Sequence, residues 1–315
     1  MFAIWTETVI QLVGVLLLSP LVAGVLARIK ARIESRKGVR VIQPYFDLAK
    51  LLRKEDLISS SSTVVFSTVP FVVFGIYILI SFIIPVVAPF PVLFTPSADF
   101  LGGALLFALA SFLQVLAGIN SGSQFTRLGS SRSVVFSAFA EPTLVMVFFA
   151  VAIISGTNNP YVTNEVLVSS VRIYLSLPHL LSTAAFFMLL LFETGKLPVE
   201  SQSLNELGMI DEGRLYEYSG RNLFLLKYSS MMKQYLLGSV FLNVFLIPWF
   251  MQYGIVGTIA DIPIMLAKWL LLIAIIAVIE ETVAKLRLFK IQDFLSVSFA
   301  LALLSIITYS LGGII

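Results

Sequence analysis

"AAFFMLLLFETGKLPVESQSLNELGMIDEGRLYEYSG", residues 184–220, begins as uncharged hydrocarbon and turns at Glu193 into the most acidic connection of the chain. Its first part closes an apolar run over 174–193, long enough for a helix to cross a bilayer. Its second part holds Glu193, Glu200, Glu206, Asp211, Glu212 and Glu217, a third of the 18 acidic residues. An apolar helix that ends in a charged, water-facing loop is the pattern of an integral membrane protein, and it predicts an all-α fold.

The remaining sequence repeats the pattern. Hydrophobic residues make up 58% and charged residues 12%, about half the charge of a soluble domain. Apolar stretches at 5–27, 64–87, 99–119, 133–155, 174–193, 233–250, 261–281 and 294–312 predict eight transmembrane helices in one domain over 1–315. The first is too long for a cleaved signal peptide and lacks its small-residue site, so it is read as retained. Basic residues fix the orientation. Eighteen fall in the odd-numbered connections, nine of them between Arg28 and Lys54, and only Arg172 falls in an even-numbered one. The positive-inside rule therefore places the odd loops in the cytoplasm and both termini outside. Trp5, Trp249 and Trp269 then form an outer aromatic belt.

Two cytoplasmic connections, 28–63 and 194–232, are long. In the first, Ile42, Tyr45, Phe46, Ala49 and Leu52 recur at helical spacing, which predicts an amphipathic helix lying on the membrane surface. The second is the acidic stretch.

Carboxylates close to hydrocarbon are costly, by about 2.5–3.5 kcal/mol on insertion scales, and are functional candidates for that reason. Glu141 lies inside the fourth span beside Pro142, which frees a backbone carbonyl next to the acid. Glu193 ends the fifth span, and Glu280 and Glu281 end the seventh. A protonatable group in such a place suits a proton or ion step. The plainer readings are a neutral Glu141 bonded to a neighbouring helix, interfacial charges at Glu280 and Glu281, and a solvated loop for the massed acids. Glu7, Asp99 and Asp261 are read as structural, and Lys268 as snorkelling outward.

Catalytic chemistry finds little support. There is no cysteine, hence no thiolate metal site, and the single histidine, His179, makes no metal site alone. No glycine pattern for a nucleotide phosphate occurs. Ser121, between glycines, is predicted on the opposite side of the membrane from His179. Nothing points to nucleic acid. An ion-coupled secondary transporter using Glu141 and Glu193 stays open, although no inverted repeat supports it.

"ETGKLPVESQSLNELGMIDEGRLYEYSGRNL" resembles the membrane-anchor subunit of respiratory complex I, the NADH dehydrogenase subunit 1 family. That family reads Glu-Thr-Asn-Arg, Pro-Phe-Asp, further acids, then Glu-Tyr-Ser-Gly. Glu193, Thr194, Lys196, Pro198, Glu200, Glu206 and Glu217 to Gly220 carry the likeness here. "RKGVRVIQPYFDLAKLLRKED" is similar to the family's first loop, and "AEP" around Glu141 sits where the family has its intramembrane acid. The first loop is several residues shorter than the one that shapes the quinone chamber of complex I. "ETGKLP", "EYSGRNL" and "AKLRLFKI" look more like the anchor subunit of energy-converting membrane-bound [NiFe] hydrogenases and their sulfane-sulfur-reducing relatives. A quinone-reducing anchor subunit is the alternative.

The resemblance implies a non-catalytic subunit without a cofactor of its own. The [NiFe] centre and iron–sulfur clusters would sit in a cytoplasmic hydrogenase-like large subunit and an iron–sulfur small subunit, with antiporter-like subunits alongside in the bilayer. Arg36, Arg40, Gln43, Asp47, Lys50, Arg53, Lys54, Lys196, Tyr218 and Arg221 would dock the cytoplasmic arm. Glu141, Glu193, Glu200, Glu206, Asp211, Glu212, Glu217, Glu280 and Glu281 would couple its redox events to proton or sodium movement.

Overall fold

The computed structural model describes residues 2–57, 59, 62–86, 99–196, 212–250, 252, 254–284, 286 and 290–312. The described residues contain helices and no strands. Helix α1 is Phe2–Ile33, α2 Gln43–Leu52, α3 Val64–Ile83, α4 Phe100–Ile119 and α5 Gln124–Ser155. Three shorter helices follow, α6 Pro160–Ser169, α7 Val171–Tyr174 and α8 Leu177–Glu193. After a 3₁₀ turn at Glu212–Leu215 come α9 Gly220–Val240 with a π-helical extension Phe241–Leu246, α10 Gly254–Thr282 and α11 Lys290–Gly312.

Six of these helices are long and apolar enough to cross a membrane: Thr6–Ile33 within α1, α3, α4, α5, Val256–Thr282 within α10, and α11. Two others stand where spans were predicted. Helix α8 has 17 residues, about 25 Å, a little short of a hydrocarbon core. Helix α9 is long enough but carries Arg221, Lys227 and Lys233. It starts at Gly220 rather than near 233, because residues beyond the apolar run still satisfy their backbone groups by helix formation. Likewise α5 starts at Gln124, so Arg127 and Arg132 lie on a helix instead of in a loop.

Side-by-side packing orders the helices as α10, α1, α9, α3, α4 and α5, with α8 and α11 against α5 and each other. Between helices in lipid the hydrophobic effect is nearly spent, so close packing and interhelical hydrogen bonds hold them. Phe148, Phe186, Phe241 and Phe245 are buried, with tilted or edge-on ring pairs at 4.8–5.9 Å joining α5, α8 and the π segment. Asp99 caps α4 through the Leu101 amide at 2.8 Å, the structural role expected of it.

The expected surface segment does form a helix. Pro44 opens α2, which lies on α1 and α9. Gly24 makes that contact possible, since a Cβ there would fall 1.9 Å from the Val41 carbonyl oxygen. Leu48 is buried, while Ile42, Phe46 and Leu52 are about half exposed.

Candidate functional site

Where the long connections meet the bundle, two buried charge clusters share one helix. Glu193, the last residue of α8, holds Lys233 of α9 at 2.5 Å, with both side chains largely buried. Glu141, midway along α5 and half-buried, lies within electrostatic reach of both. Among the described residues, two carboxylates there face one ammonium. In a medium where charge is poorly solvated, such an imbalance is costly.

The second cluster joins α1 to α10. Lys30 approaches Glu280 at 3.1 Å, off the line of a hydrogen bond, and the Glu280 side chain is 2% exposed. Lys196, just past α8, is buried beside them. Lys30, Glu34, Lys196 and Gln234 line a half-open cavity of about 290 Å³, walled otherwise by small and apolar residues of α1. Gln234 follows Lys233 directly, so neighbouring residues of α9 face the two clusters.

Burial pushes the Lys196 amine down from 10.5 to about 8; the Glu280 carboxylate opposes the shift and Lys30 adds to it. Acetic anhydride, which attacks only the neutral amine, should therefore label Lys196 with a midpoint near pH 8, where an ordinary lysine amine titrates near 10.4. Removing the opposing charge with Glu280→Gln should move that midpoint lower still. Mass-spectrometric labelling across pH checks both, and an ordinary midpoint would show the amine to be solvated.

Below these clusters the two long connections are stitched together. Tyr218 stacks on Phe66 with ring centroids 3.9 Å apart and donates to its carbonyl at 2.9 Å. Ser219 Oγ accepts from the Leu57 amide at 2.6 Å and donates to the Leu57 carbonyl at 3.2 Å. Asp56 accepts from the Asn222 amide and pairs with Arg221 at 3.5 Å, while the Arg221 guanidinium sits over the Phe71 ring.

The sequence candidates thus divide. Glu141 and Glu193 come together with Lys233, and Glu280 joins Lys30 and Lys196. Glu281 is exposed and Glu217 half-buried. Glu200, Glu206 and Asp211 lie outside the described residues, as does the side chain of Glu212. Among the docking candidates, Arg36, Arg40, Asp47, Lys50, Arg53 and Lys54 are exposed, and Gln43 donates to Asp47 at 2.9 Å. Lys196 and Tyr218 are buried and serve the interior.

Three expectations need correcting. Lys268 does not snorkel: it is 6% exposed and bonds to Asn243 and the Ile247 carbonyl. Asp261 lies seven residues inside α10 instead of at its start, and Trp269 is buried against Tyr235 and belongs to the core, not to an interfacial belt. Sequence reading also passed over Lys233, although a lone lysine in "SSMMKQYLLGSV" was the available signal.

The NADH dehydrogenase family model matches residues 6–310. The chain belongs to the NADH dehydrogenase family. Within it, formate hydrogenlyase subunit 4 of Escherichia coli is 30% identical over 285 residues, 89% of this chain and 90% of that protein. Hydrogenase-4 component C of Escherichia coli is 28% identical over 310 residues, 96% of this chain and 95% of that one. Among solved structures, a chain of the membrane-bound sulfane sulfur reductase, an archaeal respiratory membrane complex, superposes with a TM-score of 0.82 at 18% identity. That superposition covers 97% of this chain and 99% of the other. The fold is therefore that of a family membrane subunit, and the chain is a multi-pass membrane protein.

Proposed function

We propose that this family member is the membrane subunit of a complex I-like hydrogenase or sulfane sulfur reductase complex, where it docks a cytoplasmic electron-transfer arm and couples its redox reaction to proton or sodium movement. The observation that carries the reading is the Glu193–Lys233 pair with Glu141, which α9 links to the seam between the two long connections at its own first turn. An arm seated on that seam would sit at the end of the helix that leads to the buried charge. The full-length likeness to subunit 4 of formate hydrogenlyase and component C of hydrogenase-4 supports membership of such a complex.

In this reading eight helices span the membrane, the six long apolar ones together with α8 and α9, and α2 lies in the interface with Ile42, Phe46 and Leu52 towards lipid or a partner. The arm consists of a [NiFe]-hydrogenase-like large subunit and an iron–sulfur small subunit, which hold the metal centres, while antiporter-like subunits adjoin in the bilayer. The basic connections face the cytoplasm and both termini face outwards. Because the chain has no cysteine of its own, single cysteines test this orientation. Ser59→Cys and Ser131→Cys should react from the cytoplasmic side of sealed vesicles, and Asn158→Cys and Ser169→Cys from the outer side. Reversed labelling would overturn the orientation.

Coupling is tested by Glu193→Gln and Glu141→Gln, which keep shape and hydrogen-bonding capacity but remove the titratable proton. The complex should assemble and the arm's soluble half-reactions should survive, while ion movement falls about a hundredfold or more, as loss of an acid–base group does. If the acids only dock the arm, assembly weakens first and the remaining complex pumps normally. Assembly and ion flux measured on the same membranes decide between these outcomes.

A further inference from the structure

A third polar cluster lies at the far end of α9, away from the long connections. There the helix widens into the π segment Phe241–Leu246 and then breaks, with Ile247 no longer helical. Such breaks are enriched at functional positions and expose backbone oxygens that a regular helix would occupy. Into this break reaches Lys268, halfway along α10, donating to Asn243 Oδ1 at 3.1 Å and to the Ile247 carbonyl at 2.8 Å. Asn243 is held rigidly, its amide nitrogen bonding the Pro85 and Val86 carbonyls at 3.1 Å each. Asp261, two turns away on α10, is 3% exposed and accepts from the Gln252 amide. Lys268, Asp261 and Asn243 line one cavity of about 10 Å³, room for about a single water, and Phe250 at its rim is 69% exposed.

The same helix carries polar groups back towards Lys233. Tyr235, Ser239 and Asn243 follow at four-residue spacing, and Ser239 Oγ accepts from Trp269 Nε1 at 3.3 Å, so this stripe faces α10. Ser229 Oγ and Gln234 Nε2 are buried with no hydrogen-bond partner among the described residues. Two such atoms on one helix need water to satisfy them.

We propose that Lys268 and Asp261 form the outer terminus of a proton path that runs along α9 from the Glu193–Lys233 pair, so that this subunit releases protons through itself. The step conserves charge. An Nζ–H bond of Lys268 breaks, its proton passes to the intervening water, and a water proton moves to the Asp261 carboxylate. A neutral amine and a neutral acid remain, the acid discharges past Phe250, and the amine regains a proton from the stripe. The inference rests on the coupling role proposed above.

The test uses the whole complex in sealed vesicles, with electron transfer and proton ejection recorded together. Lys268→Arg retains the cation and its hydrogen bonds but does not give up a proton at neutral pH. It should assemble and transfer electrons at the native rate while proton ejection falls about a hundredfold or more, the loss expected for a single acid–base group. Lys268→Met and Asp261→Asn should behave alike wherever they assemble. If Lys268 only pins the helix break, Lys268→Arg pumps normally and Lys268→Met fails to assemble, which overturns the proposal. Failure of all three variants to assemble overturns it too. Normal pumping in the Lys268 variants combined with its loss in Glu193→Gln would send the protons out elsewhere and leave the coupling role standing. Normal pumping in Glu193→Gln as well would remove the coupling role itself.

Discussion

Replacing Lys233 with methionine is expected to lower the stability of the bundle by about 3–5 kcal/mol, because it leaves the Glu193 carboxylate buried without its counter-ion. Both side chains are about 90% removed from solvent, so the pair escapes the screening that makes surface ion pairs nearly worthless. Methionine fills a similar volume, which separates the lost charge from a lost contact. The decisive comparison is the double variant. Adding Glu193→Gln removes the stranded charge, so Lys233→Met with Glu193→Gln should melt above Lys233→Met alone. Additive losses in the thermal unfolding of the detergent-solubilised complex would mean that the two groups do not form the pair seen here.

What the sequence made legible follows from which interactions are local. Apolar runs locate helices because the backbone in lipid has no other way to satisfy its polar groups, and all eight predicted runs contain or overlap a helix. Helix ends were less legible. The first turns of α9 and α5 are polar or charged, yet they remain helical against loop residues. The acids Glu141, Glu193 and Glu280 stood out because a carboxylate near hydrocarbon is expensive wherever it sits. Their partners did not, since Lys30 lies 250 positions before Glu280 and was grouped with a basic loop. Lys268 was misread for a related reason. Snorkelling is the default for a long basic side chain, and only the π segment of a different helix supplies the oxygens that hold it inside.

On the docking role proposed above, release of the arm should follow from two different changes to the seam, and their contrast reveals what the seam does. Gly220 has φ of +51°, and a Cβ there would lie 2.6 Å from both the Glu55 carbonyl oxygen and Asp56 Oδ1. Gly220→Val therefore meets backbone strain and a clash at once, and pushes the first connection away from Ser219 and Asn222. Strain at such a position and overpacking each cost about 1–3 kcal/mol, so the subunit itself should melt earlier as well as lose the arm. Arg53 and Lys54 sit in the same connection but are exposed. Reversing both charges leaves the seam intact and alters only the surface offered to a partner. Exposed pairs are worth about 0–1 kcal/mol each, so the double reversal should weaken arm binding up to about thirtyfold while leaving the subunit's melting unchanged. The same reversal at Lys285 and Lys290, in a different connection of the sequence, should have a smaller effect. Co-purification of the arm over a salt series, with melting recorded on the same preparations, separates shape from charge. An arm that stays bound equally well to the Arg53 and Lys54 variant and to the Lys285 and Lys290 variant would place the docking surface away from the first connection.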